Sequence, residues 1–398
     1  MSLRSLNPWR GLGGLPRDVW VLCAATLVNR LGVMVLPFLV LYLTRDRGFS
    51  AGFAGFILAL FGAVSLPASP IAGRLCDRFG PARVMELSLL ASGAVLLLYP
   101  LAQTAGEIVV ATMALSAAAE GARPAGLALI TEAVEPERRK AAFALLRLAI
   151  NLGMSVGPAA GGFLAAVSFP ALFVADGVTT LLAAGIMLVL GLGRGMPRVS
   201  RPAGQGGGHL GQAFRDARLL AFLGALLPVA VVFFQHASAM PLFMVRDLGL
   251  SPSTYGLMFT LNTVLIVLLE VPLNLAMADW PHGRSLALGS GLFAVGFGAM
   301  AFAGSAWTIA LTVAVWTFGE MILFPTMSAY VAEIAPEGRG GEYMGLFTMA
   351  FGAALVLGPW AGTVVLDRFG GAVLWGGCLV LGMVSAVLMA RLRSRPGL

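Results

Sequence analysis

Residues 120–139 read EGARPAGLALITEAVEPERR, and residues 320–339 read EMILFPTMSAYVAEIAPEGR. Glu120, Pro124, Glu132 and Pro136-Glu137-Arg138 of the first stretch recur as Glu320, Pro325, Glu333 and Pro336-Glu337-Gly338-Arg339 of the second. Farther along, Gly157-Pro158-x-x-Gly161 recurs as Gly358-Pro359-x-x-Gly362. Every correspondence spans 200 or 201 residues, half of a 398-residue chain, so one unit is written twice.

Composition says what that unit is made of. Of the chain, 58% is hydrophobic and 11% charged, against about 25% charged in a soluble domain. Apolar runs of roughly 20 residues, the length that crosses the bilayer core as helix, number twelve: about 18–43, 51–72, 84–102, 107–132, 141–166, 170–192, 219–244, 253–278, 285–304, 307–333, 342–366 and 371–391. They are continuous rather than alternating, and only helices or closed barrels satisfy the backbone in lipid, so the fold expected is an all-α bundle of twelve transmembrane helices. The first run is too long for a signal-peptide core and is read as a span.

The +7 net charge sorts by topology and calls for no nucleic acid. Loops assigned to the cytoplasm hold 19 basic residues, the opposite loops only Arg45, Arg47, Arg246 and Arg368, with Arg30, Arg123 and Arg147 inside spans. This positive-inside bias places both termini in the cytoplasm of an inner-membrane protein. The Gly- and Arg-rich stretch between spans six and seven cannot build a core. The domains expected are therefore a six-helix bundle at 1–192, a cytoplasmic linker at 193–218 and a second bundle at 219–398. Cys23, Cys76 and Cys378 are isolated, which gives neither a disulfide framework nor a metal site; no cofactor or metal is expected.

Gly73-Arg74-Leu75-Cys76-Asp77-Arg78-Phe79-Gly80 resembles G-x-L-x-D-R-x-G, the loop signature of the major facilitator transporters, whose parallel six-helix halves rock about a midplane site. It departs from the family at Pro81-Ala82, where basic residues are usual. The resemblance implies that Gly73, Asp77, Arg78 and Gly80 form a conformational latch that stabilises the outward-facing state; Asp279-Trp280-Pro281-His282-Gly283-Arg284 is its degraded copy. Gly153-x-x-x-Gly157-Pro158-x-x-Gly161-Gly162 resembles the antiporter motif of the drug:proton exporter branch. Physically, the glycines admit a close helix neighbour, which any tight crossing in lipid also uses, and Pro158 removes a backbone hydrogen bond.

An ionisable side chain at mid-span is a functional candidate by default. Arg30 lies near the midplane of helix one. Glu120 and Arg123 share a face of helix four, where they pair with each other or with Arg30. Glu320 is the repeat-related position of Glu120 and has no basic residue within a turn; Glu270 precedes Pro272 in helix eight. The resemblance implies that helices one, four, seven and ten line the cavity, which puts Arg30, Glu120, Arg123, Gln235, His236 and Glu320 around substrate and Glu270 toward the flank. Desolvation disfavours a charged carboxylate and a nearby arginine favours it, so relative movement of the two takes up and releases a proton. A lone histidine is more often a satisfied hydrogen-bonding residue than a switch. Asp176 and Arg147 are expected to snorkel, and Glu132 and Glu333 to join a charge network with Arg138, Arg139 and Arg339. Pro37, Pro67, Pro70, Pro228, Pro241 and Pro325 mark bends, and Phe233, Phe234, Met240, Trp316, Phe318, Met321 and Phe324 offer an apolar wall.

The function expected is secondary active transport by alternating access: a proton-coupled exporter of small amphipathic or drug-like molecules, working as a monomer in the bilayer. The alternative on the same fold is an importer or uniporter of an organic anion, held by Arg30 and Arg123. The sequence has no H-E-x-x-H site and no P-loop, so an enzyme is not expected.

Overall fold

A computed structural model describes residues 14–135, 138–192, 215–336 and 339–392; most of the linker expected at 193–218 lies outside them. The described chain is all helical. Numbered by candidate span, the helices are α1 (Arg17–Asp46), α2 (Ala51–Phe79), α3 (Pro81–Leu101), α4 (Ala105–Ala133), α5 (Arg139–Val167), α6 (Phe169–Leu190), α7 (Ala217–Ala237), α8 (Pro252–Ala276), α9 (His282–Phe302) and α10 (Ala306–Ile334). A last stretch, Gly340–Ala390, is divided at Gly370, whose φ of 81 lies in the left-handed region that a β-carbon disfavours. Residues 340–369 are therefore α11 and residues 371–390 α12, which completes twelve.

The repeat extends to local structure at the same offset. Thr104 and Glu107 form a capping box at the start of α4, and Ser305 and Thr308 form another at the start of α10. One π-helical turn, Tyr42–Asp46, ends α1, and a second, Phe243–Asp247, continues the α7 segment. Each is followed by a glycine of positive φ, Gly48 and Gly249. The signal is legible in retrospect: Arg45-Asp46-x-Gly48-x-Ser50 recurs as Arg246-Asp247-x-Gly249-x-Ser251.

Among the described residues the chain forms two compact units, one drawn from Met1–Val35, Val64–Leu164 and Ser168–Arg201, the other from Leu36–Ala63, Ala165–Val167 and Pro202–Leu398. The division runs through α1 and α2. Within the second unit, Arg45 Nη2 donates to the Val245 carbonyl at 3.1 Å, and Phe38 meets Tyr255 edge-on at 5.2 Å. Within the first, Tyr99 stacks on Phe173 at 4.9 Å, and its hydroxyl hydrogen-bonds Thr112 at 2.8 Å.

Two of the prolines expected to mark bends, Pro37 and Pro241, each lie one turn past a break in the helix; the others do not. Pro67, Pro70, Pro158, Pro272, Pro325 and Pro359 all sit inside continuous helices. The breaks are at Gly32–Met34 in α1, between the helical segments Arg17–Leu31 and Val35–Leu41, and at Phe234–Ser238 in α7. At the α1 break a side chain of α6 accepts from the N–H groups released, whereas at the α7 break Gln235 and Ser238 of the same turn donate to carbonyls.

At the start of α7, Asp216 accepts from the Arg218 backbone N–H at 2.8 Å and from the Tyr343 hydroxyl at 2.6 Å. Burial pushes its carboxyl up and is the largest single influence. Its bonds from Tyr343, Arg218 and Leu219 and the Arg218 charge outweigh that and hold it below the usual carboxylate value. A depressed carboxylate stabilises the fold above its unfolded value of about 3.9 and loses that contribution as pH falls through the lower folded value. Asp216→Ala should cost about 0.5–2 kcal/mol, the range for a lost N-cap. A fluorescence melt in detergent reads this as a lower transition at pH 7, with the difference from wild type shrinking in acid.

Candidate transport site

In the first unit three charged residues of the expected cavity come together with a fourth that was not expected. Arg30 interacts electrostatically with Arg123, Asp176 and Glu120. None of Arg30, Glu120 and Arg123 forms an ion pair within 4.0 Å among the described residues. Arg30 Nε is buried without a hydrogen-bond partner. The pairing of Glu120 with Arg123 fails because α4 loosens at Glu120–Gly121 between two helical segments. Pro124 has no N–H to return to the Glu120 carbonyl, which weakens that turn.

The motif glycines of α5 grip the break in α1. A β-carbon on Gly157 would lie 2.8 Å from the Arg30 carbonyl oxygen and 3.0 Å from that of Leu31; one on Gly153 would strike the Arg30 side chain and lie 3.0 Å from the Leu31 nitrogen. Pro158, Gly161 and Gly162 continue the buried stripe. The second half repeats the device one offset later. A β-carbon on Gly358 would lie 3.1 Å from the Val231 carbonyl oxygen, and one on Gly362 would strike the Gln235 side chain.

Asp176 corrects the expectation of snorkelling. It is 6% exposed, and its Oδ2 accepts from the backbone N–H groups of Met34 (3.2 Å) and Val35 (3.1 Å), because the break leaves both without a helical acceptor. In α7 the side chains at the break donate to carbonyls rather than accept from N–H groups. Gln235 Nε2 donates to the Val231 and Gly358 carbonyls, both at 2.9 Å, while Ser238 Oγ donates to the Phe234 carbonyl at 3.0 Å and to Gln235 Oε1 at 3.3 Å. Gln235, 2% exposed, is therefore engaged in helix packing.

In the second unit Glu320 accepts from Asn262 Nδ2 at 2.8 Å, and the same nitrogen donates to Thr317 Oγ1 at 3.0 Å. No basic group lies within ion-pair distance of Glu320 among the described residues. Its second carboxylate oxygen has no hydrogen-bond partner among the described residues. Glu270 is close enough to Glu320 to be felt electrostatically. One turn along the same two helices lies a cavity with an apolar wall, lined by His236, Met240, Tyr255, Met258, Phe259 and Trp316. His236 Nδ1 sits 2.6 Å from the Phe233 carbonyl and must be the donor there, which leaves Nε2 an acceptor. The Tyr255 hydroxyl donates to the His236 carbonyl at 2.9 Å. Phe233 itself belongs to a ring cluster with Phe293, Phe324 and Phe351.

The latch residues lie where α2 gives way to α3. Gly80, at φ 90, turns the chain from α2 into α3. Asp77 and Arg78 are exposed, and Arg78 lies 5.2 Å over the Phe79 ring. In the degraded copy Arg284 lies 4.2 Å over the Trp280 ring, and His282 meets Glu333 at 2.9 Å. Of the expected charge network, Arg139 donates to the Thr131 and Val134 carbonyls that end α4, Arg138 to the Gly14 carbonyl, and Arg339 to Glu342.

Two halves that repeat helix for helix, down to capping boxes and glycine-gripped breaks, are matched by one family model, described as Major Facilitator Superfamily, at residues 22–243 and again at 227–397. The chain belongs to the Major Facilitator Superfamily. It is a multi-pass membrane transporter of a small molecule, not an enzyme. Within the superfamily it is 28% identical to the uncharacterized MFS-type transporter YqjV of Bacillus subtilis, over 88% of this chain and 87% of that protein. It is 25% identical to the class C tetracycline resistance protein of Escherichia coli, over 82% of each. A peptide transporter POT in complex with sulfate shares the fold, with a TM-score of 0.80 and 17% identity over 98% of both chains.

Proposed function

We propose that this transporter is a proton-coupled exporter of small amphipathic molecules carrying positive charge. It works by alternating access as a monomer in the inner membrane, its termini cytoplasmic and its halves, 1–192 and 219–398, rocking about the linker 193–218. The observation that carries the reading is Glu320. A carboxylate with a single amide partner, a second oxygen without a hydrogen bond and no ion-paired base among the described residues can take a proton or a cationic group, and each displaces the other. The aromatic and Met side chains one turn away line a cavity of about one water's size, which would have to widen to take the apolar part of such a molecule, and rings and flexible thioethers can adapt in that way. The tetracycline resistance relative and the α5 motif point the same way. Asp77 and Arg78 act as the latch in this account, and Arg30, Glu120 and Arg123 form the charged wall contributed by the first half.

Everted membrane vesicles provide the test. Imposing an acidic interior should drive uptake of ethidium by vesicles that contain the protein, and collapsing the gradient should release it. Uptake that ignores the pH gradient would reject proton coupling.

The orphaned Arg30 Nε favours a second reading, an importer or uniporter of an organic anion held by Arg30 and Arg123. Arg30→Gln should then raise KM for the anion with little loss of maximal rate, while export of ethidium is absent in both proteins.

A further inference from the structure

Asp176 is a buried carboxylate of the first unit that no sequence motif selects, and its shortest contacts go to backbone. Both N–H groups released by the α1 break converge on a single oxygen, Oδ2. The other oxygen meets the Thr180 hydroxyl at 3.5 Å, and Thr180 Oγ1 in turn accepts from Asn29 Nδ2 at 3.1 Å. On the N-terminal side of the break the turn tightens: Gly32 N–H bonds the Asn29 carbonyl and Val33 N–H the Arg30 carbonyl. Gly32 leaves room there for the Thr179 side chain, which a β-carbon would strike. The two carbonyls that a continuous helix would have used for Met34 and Val35 are those of Arg30 and Leu31, and they face Gly157 of α5. The break is thus held from two sides, its N–H groups by α6 and its carbonyls by α5.

Arg30 is the last residue but one of the first helical segment, and the chain passes from the first compact unit to the second between Val35 and Leu36. We propose that Asp176 is a positioning residue: by accepting both freed N–H groups it keeps α1 broken at Gly32–Met34 and so sets the direction of Arg30. Without that acceptor the two N–H groups stay unsatisfied in the membrane or return to the Arg30 and Leu31 carbonyls. Rewinding the helix turns Arg30 relative to the Val35–Leu41 segment. The second half does not copy this device: Gln235 and Ser238 donate to carbonyls there, and the position one offset from Asp176 is Gly377.

Asp176→Asn and Asp176→Leu separate the charge of Asp176 from its acceptor oxygen. An amide oxygen in the Oδ2 position accepts both N–H groups, and its NH2 can donate to Thr180. Hydrogen–deuterium exchange of the purified protein in nanodiscs should therefore show Met34 and Val35 as protected in Asp176→Asn as in wild type. In Asp176→Leu the exchange rate at those amides should change by about tenfold or more, the effect of losing a buried acceptor. Ethidium transport should follow the same order, with Asp176→Asn within about threefold of wild type and Asp176→Leu non-additive with Arg30→Gln. If Asp176→Asn loses pH-driven transport while its amides stay protected, Asp176 works through its proton and the proposal is wrong; it is equally wrong if Asp176→Leu leaves exchange at both amides unchanged. The inference rests on Arg30 as a cavity residue only for its transport arm. A chain that does not carry ethidium at all would sink the exporter reading and leave the exchange result to decide this one. Asp176→Ser, short enough to fold without filling the site, repeats the exchange measurement should the leucine variant not accumulate.

Discussion

Gly157→Val is expected to abolish transport and to lower the melting temperature of the detergent-solubilised protein, while Gly185→Val changes neither. At Gly157 the first atom of any side chain comes 2.8 Å and 3.0 Å from two backbone carbonyl oxygens, those of Arg30 and Leu31. Backbone cannot swing aside as a side-chain tip can, so α5 must separate from α1 or the break must move. Overpacking of this kind costs about 1–3 kcal/mol and sometimes more, and here it falls on the turn that orients Arg30. Gly185 in α6 meets nothing within 4 Å, which makes it the control for adding a β-branched side chain to a helix in lipid. Gly358→Val should behave like Gly157→Val, because its β-carbon meets the Val231 carbonyl oxygen at 3.1 Å in the repeat-related break. Initial rates of ethidium uptake with parallel melting curves decide the matter; a Gly157→Val protein that transports at the wild-type rate would show that the stripe of glycines is ordinary packing.

The second large effect belongs to Glu320. Glu320→Gln keeps the shape and can preserve one hydrogen bond with the Asn262 amide, so the fold should survive with little change in melting temperature. What disappears is the ability to hold a proton in one state and a cation in the other. Uptake driven by a pH gradient should fall at least tenfold, while energy-independent exchange of ethidium across the membrane falls much less. Asn262→Leu acts differently. It strips Glu320 of its amide partner and leaves the Thr317 hydroxyl with its Val313 carbonyl alone. Such a loss costs about 1–3 kcal/mol for a buried polar group, so stability should drop along with transport.

Much of this was legible in the residues. Lipid imposes helices on any continuous apolar run, which is why the expected limit of 366 and start of 371 bracket the observed division at Gly370. Glu320 stood out because nothing basic lies near it in sequence, and nothing basic lies within ion-pair distance among the described residues of the structure. Asn262 was not foreseeable as its partner, being 58 residues away in a different helix. The breaks were legible only in part, through Pro37 and Pro241 one turn beyond them, because what holds them open lies far away in sequence. Prolines predict where a helix loses one hydrogen bond, whereas the α1 break rests on an acceptor in another helix, and Asp176 lies 142 residues from Met34. Glu120 and Arg123 obey the i, i+3 rule only in an intact helix, and Pro124 loosens the turn between them. The recurring Arg-Asp-x-Gly-x-Ser ends of α1 and α7 were available in the sequence and gain their meaning only beside the two π-helical turns.

Proton movement in proteoliposomes tests the central claim most directly. Purified protein is reconstituted with the pH dye pyranine trapped inside, and an ethidium gradient is applied with no pH gradient at the start. The account predicts that ethidium flux moves protons in the opposite direction, shifting pyranine fluorescence for wild type and not for Glu320→Gln. Ethidium flux that leaves internal pH unchanged, or a Glu320→Gln protein that still moves protons against ethidium, would contradict it.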